Sequence, residues 1–263
     1  MKAEVEDLEK AQSHYLLAKI GKRVLRPGGV EMTKQLIERL NITESDTLVE
    51  FAPGLGYTAS LVVKKLPSLY IGIEADSDHV LLLRKKVRAI NGTRVEFVQG
   101  DAENTGLNAD SCDKLFGEAV LSMHANQRKS RIIKEASRIL KKGGLYAIHE
   151  LELNLKGEEI SKEAQIQREL ALVSNVNARP LTISEWTELL KSEGFVIRNI
   201  ERRPLRVLEP QRILEDEGLF NTLRIVFNVL RLPKARKRIL EMRRTFKAND
   251  AYLNAVSIIA EKL

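Results

Sequence analysis

Residues 47–59 read TLVEFAPGLGYTA. The run TLVEFA (47–52) is short, mostly apolar and bounded by Pro53 and Gly54, which reads as a buried strand. The glycines at 54 and 56 let the chain turn tightly into a helix reaching about Lys65. Working outward, LYIGIEA (69–75), RVEFVQGD (94–101), KLFGEAVL (114–121) and GLYAIHEL (144–151) repeat the strand pattern. Between them lie amphipathic stretches. One runs to about Ile90, and another spans 126–140 with Ile132, Ile133, Ala136, Ile139 and Leu140 at helical spacing. A helix over 183–194 ends on Gly194, followed by strands over 195–203 and 252–263. Strands alternating with helices predict an α/β fold with a parallel sheet. Residues 4–20 and 30–40 read as helices joined by the turn Arg26-Pro27-Gly28-Gly29. Residues 157–180 and 209–248 fall outside the rhythm and read as helical insertions, which in open α/β sheets reach the ligand edge.

The chain has 263 residues, 43% apolar and 30% charged, enough for a large core and unlike a disordered chain. A single cysteine, Cys112, excludes an intrachain disulfide framework. It sits just before the fourth strand and reads as inert. No apolar run approaches a membrane span, and MKAEVEDLEKAQ is too acidic for a signal or transit peptide, so a soluble cytoplasmic protein is expected. The net charge of +7 is uneven: 202–247 holds 13 Lys and Arg against 5 Asp and Glu. Basicity is thus a property of one segment and a weak sign of nucleic-acid binding.

Gly54-Leu55-Gly56-Tyr57-Thr58-Ala59 forms a GxGxxA string. Glu50 stands just before it, Glu74 ends the second strand, and Asp101 follows the third. Three carboxylates at one sheet edge repel one another unless a ligand or fixed donors offset them. A carboxylate in Glu74's position suits ribose hydroxyls. The pieces VEFAPGLG, IGIEAD, VQGDAENTGL, DKLFGEAVLSMH and ILKKGGLYAIHE resemble, in order and spacing, the class I S-adenosylmethionine-dependent methyltransferases. In detail the chain looks most like their small-molecule branch, the ubiquinone/menaquinone-biosynthesis-like, type 11 enzymes. The resemblance implies a Rossmann-like, seven-stranded, mostly parallel sheet with an antiparallel last strand and helices on both faces. It also implies an N-terminal helical cap over 1–40 and a methyltransferase domain over 41–263. S-adenosyl-L-methionine is the implied cofactor. Glu50, Ala52, Gly54 and Gly56 would wrap its methionine part and Glu74 its ribose. Ala75, Asp76, Asp101 and Ala102 would lie near the adenine, and Glu118 near the amino group and the reacting methyl. The family usually has Gly where this chain has Ala52.

Methyl transfer is an in-line displacement in which the enzyme mainly supplies proximity and orientation. A base is needed only where the nucleophile must lose a proton. His124 after the fourth strand and His149 at the end of the fifth are, with Glu118, the candidate catalytic groups. Arg26, His14, Tyr15 and Glu150 are candidates for the substrate side, Arg26 by pairing with a carboxylate. No His/Cys/Asp spacing suggests a metal. In LFNTLRIVFNVLRL (219–232), Leu219, Leu223, Val226 and Leu230 share a helical face, with Phe220 and Phe227 beside it. The expected role of that face is packing on the sheet or forming a lid. Peripheral contact of 219–247 with an anionic membrane and a homo-oligomer interface are further readings. A small-molecule acceptor is expected, an apolar or lipid-like one among the options. An RNA methyltransferase is the alternative, but GEAVLSMH lacks the proline turn and aromatic residue that hold a flipped adenine. An NAD(P)-dependent oxidoreductase also fits GxGxxA with Glu74, but not Glu50 or Asp101.

Overall fold

A computed structural model describes residues 11–90 and 92–263. Its helices are α1 (Ser13–Lys19), α2 (Gly29–Leu40), α3 (Tyr57–Val63), α4 (Ser77–Lys86), α5 (Asn126–Ile139), α6 (Glu163–Ser174), α7 (Ile183–Ser192), α8 (Pro210–Arg231) and α9 (Pro233–Ala248). Its strands are β1 (Thr47–Phe51), β2 (Leu69–Glu74), β3 (Arg94–Gln99), β4 (Cys112–Glu118), β5 (Leu140–Leu153), β6 (Leu181–Thr182), β7 (Phe195–Pro204) and β8 (Leu253–Lys262). Of the helix expected over 4–20, residues 4–10 lie outside the described residues.

The sheet runs β3-β2-β1-β4-β5-β8-β7, with the two-residue β6 paired to β5. β1 pairs in parallel with β2 and with β4, and β4 with β5, whereas β8 is antiparallel to both neighbours. The expected mostly parallel sheet with an antiparallel last strand is therefore present, with one short strand added. The order in which strands are added along the sheet reverses between the parallel β1 and β4, so the carboxyl ends of these strands open the crevice where open α/β sheets bind ligands. The register brings Glu118 directly beside His149 across β4 and β5.

One face of the sheet is covered by α5 and α7 through Ile132, Ile133, Ala136, Trp186 and Leu190. The other is covered by α2, α3 and α4 through Leu36, Ile37, Val62, Val80 and Leu83. A separate cluster joins α1 to α8 and α9 through Leu16, Leu17, Ile20, Ile225, Ala235 and Met242. The N-terminal helix and the late insertion thus share a core, although some two hundred residues of chain lie between them.

Boundaries differ from expectation where backbone geometry intervenes. β4 stops at Glu118 because Ala119 takes a positive φ of 57° and bends the chain away. Cys112 lies inside β4, fully buried, and burial pushes its thiol up to about 12, which leaves it a poor nucleophile. The largest correction concerns the apolar stripe of α8. Leu219, Leu223, Val226 and Leu230 do not pack on the sheet; all four are exposed. The inward face of that helix carries Asn221, Ile225 and Asn228 instead, and the two asparagines donate to the carbonyls of Gly21 and Ile20.

Candidate active site

The turn after β1 is built from residues in the left-handed region: Ala52 (φ 51°), Gly54 (φ 55°) and Gly56 (φ 73°). Gly56 is the packing glycine, since a Cβ there would stand 2.8 Å from Leu83 Cδ2. Gly54 faces open space: a Cβ would meet nothing nearer than 3.9 Å, so the turn leaves a cradle beside its backbone. Glu74, buried at the end of β2, accepts from Gly54 N–H at 3.4 Å and Asp76 N–H at 3.2 Å. Both contacts are long, leaving acceptor capacity for a diol. Glu50 is buried on β1 and accepts from the Tyr70 hydroxyl. Burial pushes its carboxyl up to about 8, against the bond from Tyr70, so it is mainly protonated at neutral pH. The donor set and the cradle fit a nucleoside carrying an amino-acid tail.

Across the crevice, Glu118 ends β4 and His149 stands beside it within β5, which continues to Leu153 rather than ending at His149. Glu118 accepts from Arg26 Nη1 at 2.7 Å, from the hydroxyls of Thr33 and Thr58, and faces His149 Nδ1 at 2.9 Å. Burial alone would raise this carboxyl; the Arg26 charge and the hydrogen bonds from His149 and Thr33 bring it down to about 2. His149 is fully buried, and its Nε2 accepts from Gly28 N–H at 2.9 Å. Nε2 is therefore the unprotonated nitrogen and Nδ1–H donates to Glu118. Gly28 is required by this approach, since a Cβ would lie 2.7 Å from His149 Nε2 and would also collide with Met32.

The segment carrying Arg26 and Gly28 is clamped by α8. Glu217 Oε1 accepts from the backbone N–H of Arg23 and Val24, its Oε2 accepts from Arg23 Nε, and Asp216 accepts from Val30 N–H. Buried Lys22 stands 3.8 and 3.9 Å from these two carboxylates. The clamped segment places Arg23, Leu25 and Arg26 over a cavity of about 70 Å³ lined by Glu50, Ala52, Gly54, Tyr57 and Glu118. Arg26 also lies 5.3 Å from the centre of the Tyr57 ring.

The structure brings Glu50, Ala52, Gly54, Glu118 and Arg26 around one cavity, with His149 behind Glu118. Other candidates lie elsewhere. Asp101 pairs with Arg128 at 2.7 Å on the neighbouring edge, with the partly buried Ala102 beside it. His124 belongs to that side too: burial lowers its pKa, and Arg128, Asp101 and Glu103 are its charged neighbours. It does not meet His149. His14 and Tyr15 stack beside His79, with the Tyr15 hydroxyl 3.5 Å from Asp76, so they flank the end of β2 and the exposed Ala75. Glu150, expected on the substrate side, is fully buried and accepts from the N–H groups of Val120, Leu121 and Ser122. It anchors the loop after β4, with no free face toward the cavity. The sequence reading missed Thr33, Thr58 and Glu217. Only the last left a signal, as the end of the acidic run Glu215-Asp216-Glu217 inside a basic segment.

Residues 48–144 match a family described as a methyltransferase domain. An uncharacterized protein of Haemophilus influenzae is 27% identical over 252 residues, covering 95% of this chain and 97% of its own length. Methyltransferase GfsG of Streptomyces halstedii is 27% identical over 128 residues, 48% of this chain and 45% of that protein, so the match spans under half of either. The structure of phosphoethanolamine N-methyltransferase 2 of Haemonchus contortus, in complex with S-adenosyl-L-methionine, superposes with a TM-score of 0.68 at 16% identity. That superposition covers 95% of this chain and 56% of that one, a likeness of fold. The nicotinamide reading falls with the family match. Residues 48–144 therefore form a methyltransferase domain on this sheet, and the protein is an S-adenosylmethionine-dependent methyltransferase with S-adenosylmethionine as its cofactor.

Proposed function

We propose that this enzyme methylates a small molecule enclosed between the glycine turn and the cap, with His149 as the base where the acceptor carries a proton. The observation that carries the reading is the buried Glu118–His149 pair, whose outward lone pair, on Nε2, is covered by the cap's own Gly28 N–H. S-adenosylmethionine, when bound, would supply an electrophilic methyl group on a sulfonium, the acceptor taking the methyl in line while the thioether, S-adenosylhomocysteine, leaves. Gly54 and Ala52 would make room for its methionine part, with Glu50 beside them. Glu74 would accept from its ribose, and Ala75, Asp101 and Ala102 would border its adenine.

The protein's own work is orientation and proton handling. Glu118 fixes the His149 tautomer and stabilises the imidazolium that forms when Nε2 takes a proton. For Nε2 to reach an acceptor, Gly28 must move away, so the roof over the cavity is part of the cycle. A roofed cavity suits an enclosed metabolite better than a base presented on RNA. The phosphoethanolamine enzyme of similar fold, by its name, also takes a small acceptor.

The test is transfer of labelled methyl from S-adenosylmethionine to a small-molecule extract and, in parallel, to total RNA. Label in the small-molecule fraction that His149→Gln reduces by about 10²-fold or more supports the reading. Label appearing in RNA overturns it.

A further inference from the structure

The second half of α8 is inside out. After Gly218, whose φ of 73° and ψ of 167° kink the helix, Leu219, Phe220, Leu223, Val226, Phe227 and Leu230 all point to solvent. Phe220 is 88% exposed and Phe227 62%. At about 100° per residue these six fall in one continuous arc of about 120°. The opposite face is already satisfied: Asn221 and Asn228 hold the carbonyls of Gly21 and Ile20, and Ile225 sits in the cap core. Among the described residues nothing buries the stripe. A contiguous apolar face of this kind marks a contact with something outside the chain.

Charge identifies the contact. Residues 218–240 contain Arg224, Arg231, Lys234, Arg236, Lys237 and Arg238 and no acidic residue. Arg224 and Arg231 border the apolar arc on the Phe220 side, and both are exposed. Arg236 and Lys237 follow at the start of α9, also exposed. Arg238 is different: it is buried and donates to the carbonyl of Ala11, so it serves the fold. A second copy of the chain is disfavoured as the occupant. Two-fold pairing would bring the arginines of both copies together with no carboxylate in the stretch to meet them. Phenylalanines flanked only by cations match a surface that is apolar beneath an anionic layer. Among the described residues no helix is long and apolar enough to cross a membrane, so the contact lies in the interface plane.

We propose that the outward face of Leu219–Arg231 docks on an anionic lipid bilayer, inserting Phe220 and Phe227 with Arg224, Arg231, Arg236 and Lys237 at the headgroups. The proposal does not depend on which acceptor is methylated, and its test uses no activity readout. The full-length protein is sedimented with phosphatidylcholine vesicles, with or without phosphatidylglycerol. Binding is expected to phosphatidylglycerol vesicles at low salt and to weaken as salt rises. Arg224→Glu with Arg231→Glu should reduce it by at least about fivefold per charge. Phe220→Ser with Phe227→Ser should reduce it by about tenfold or more, with an unchanged melting temperature because both side chains are exposed. Phe227→Trp gives a second readout independent of lost binding. Its emission should shift to the blue on phosphatidylglycerol vesicles, over a constant background from the single buried Trp186. Failure to bind either vesicle, equal binding to both, or no blue shift overturns the proposal. So does binding that survives loss of both phenylalanines. A concentration-dependent dimer abolished by Phe220→Ser would assign the stripe to self-association instead.

Discussion

Ala52 is an L-residue held at φ 51°, where its Cβ crowds the following carbonyl. The strain is about 1–2 kcal/mol, partly offset by the larger unfolded-state entropy that glycine brings. Ala52→Gly is therefore expected to raise stability by up to about 1 kcal/mol, or roughly 2–4 °C in melting temperature for a chain of this size, measured by thermal unfolding. Glu50 and Glu118 face the same crevice but respond to pH in opposite directions. Glu50 has its folded pKa raised from 4.5 to about 8, so across that window the folded chain keeps a proton that the unfolded chain has shed. Its contribution to stability declines as pH rises through the window. Glu118 is held at about 2, so its contribution is present above 4.5 and is lost as pH falls toward 2. Glu50→Gln should flatten the decline in melting temperature between pH 5 and pH 8 and leave the acid limb unchanged. Because a cationic cofactor tail would favour ionised Glu50, binding at pH 7 should also release a proton. Titration calorimetry in buffers of different ionisation enthalpy would detect it, and in Glu50→Gln the release should disappear. Glu50 and Glu74 were legible from sequence because one lies on the strand just before the glycine turn and the other ends the next strand. Thr33 and Thr58 were not, because what makes them matter is Glu118, which lies 85 and 60 residues away and meets them only in the packed molecule.

At the scale of elements, strands and central helices followed from short apolar runs and helical periodicity, and the structure moves their ends by only a few residues. α8 was misjudged because an apolar stripe ordinarily marks the buried face of a helix. Here the inward partners are backbone carbonyls, which asparagines satisfy, so the usual rule points the wrong way. The first half of the same helix supplies the clamp. Glu217 is buried, and although burial raises its pKa, the N–H groups of Val24 and Arg23 and the Arg23 guanidinium bring it below the ordinary value. Glu217→Ala would leave two N–H groups and Lys22 without this acceptor. A loss of about 2–4 kcal/mol is expected, read as a lower unfolding midpoint in urea. Limited proteolysis should cut faster between Ile20 and Gly29 in this variant, because that segment loses its anchor. Unchanged cleavage would mean that the shared core of α1, α8 and α9 holds it without the clamp.

For the whole molecule, the sheet and its two faces form a rigid base, and α1, α8, α9 and the Arg26–Gly29 turn form a cover seated on its carboxyl edge. The resemblance of the strand motifs to one family made the base legible. The cover was not, since its core joins residues from both ends of the chain. The cavity beneath it, about 70 Å³, is far smaller than the roughly 300 Å³ at which small-molecule sites begin. Arg26 must therefore shift before the methionine part of the cofactor can seat beneath it, and full binding should be limited by that motion. Tyr57→Trp places a reporter on the cavity wall while retaining the contact with Arg26. In rapid mixing with S-adenosylmethionine, the observed rate should rise and then saturate at the opening rate. Adding Glu217→Ala should raise the plateau by up to about 30-fold, since about 2 kcal/mol less holds the cover shut and RT is ≈ 0.59 kcal/mol. A rate that climbs linearly with cofactor in both proteins, at a diffusion-like slope, would show instead that the cover opens freely and that Glu217 serves stability alone.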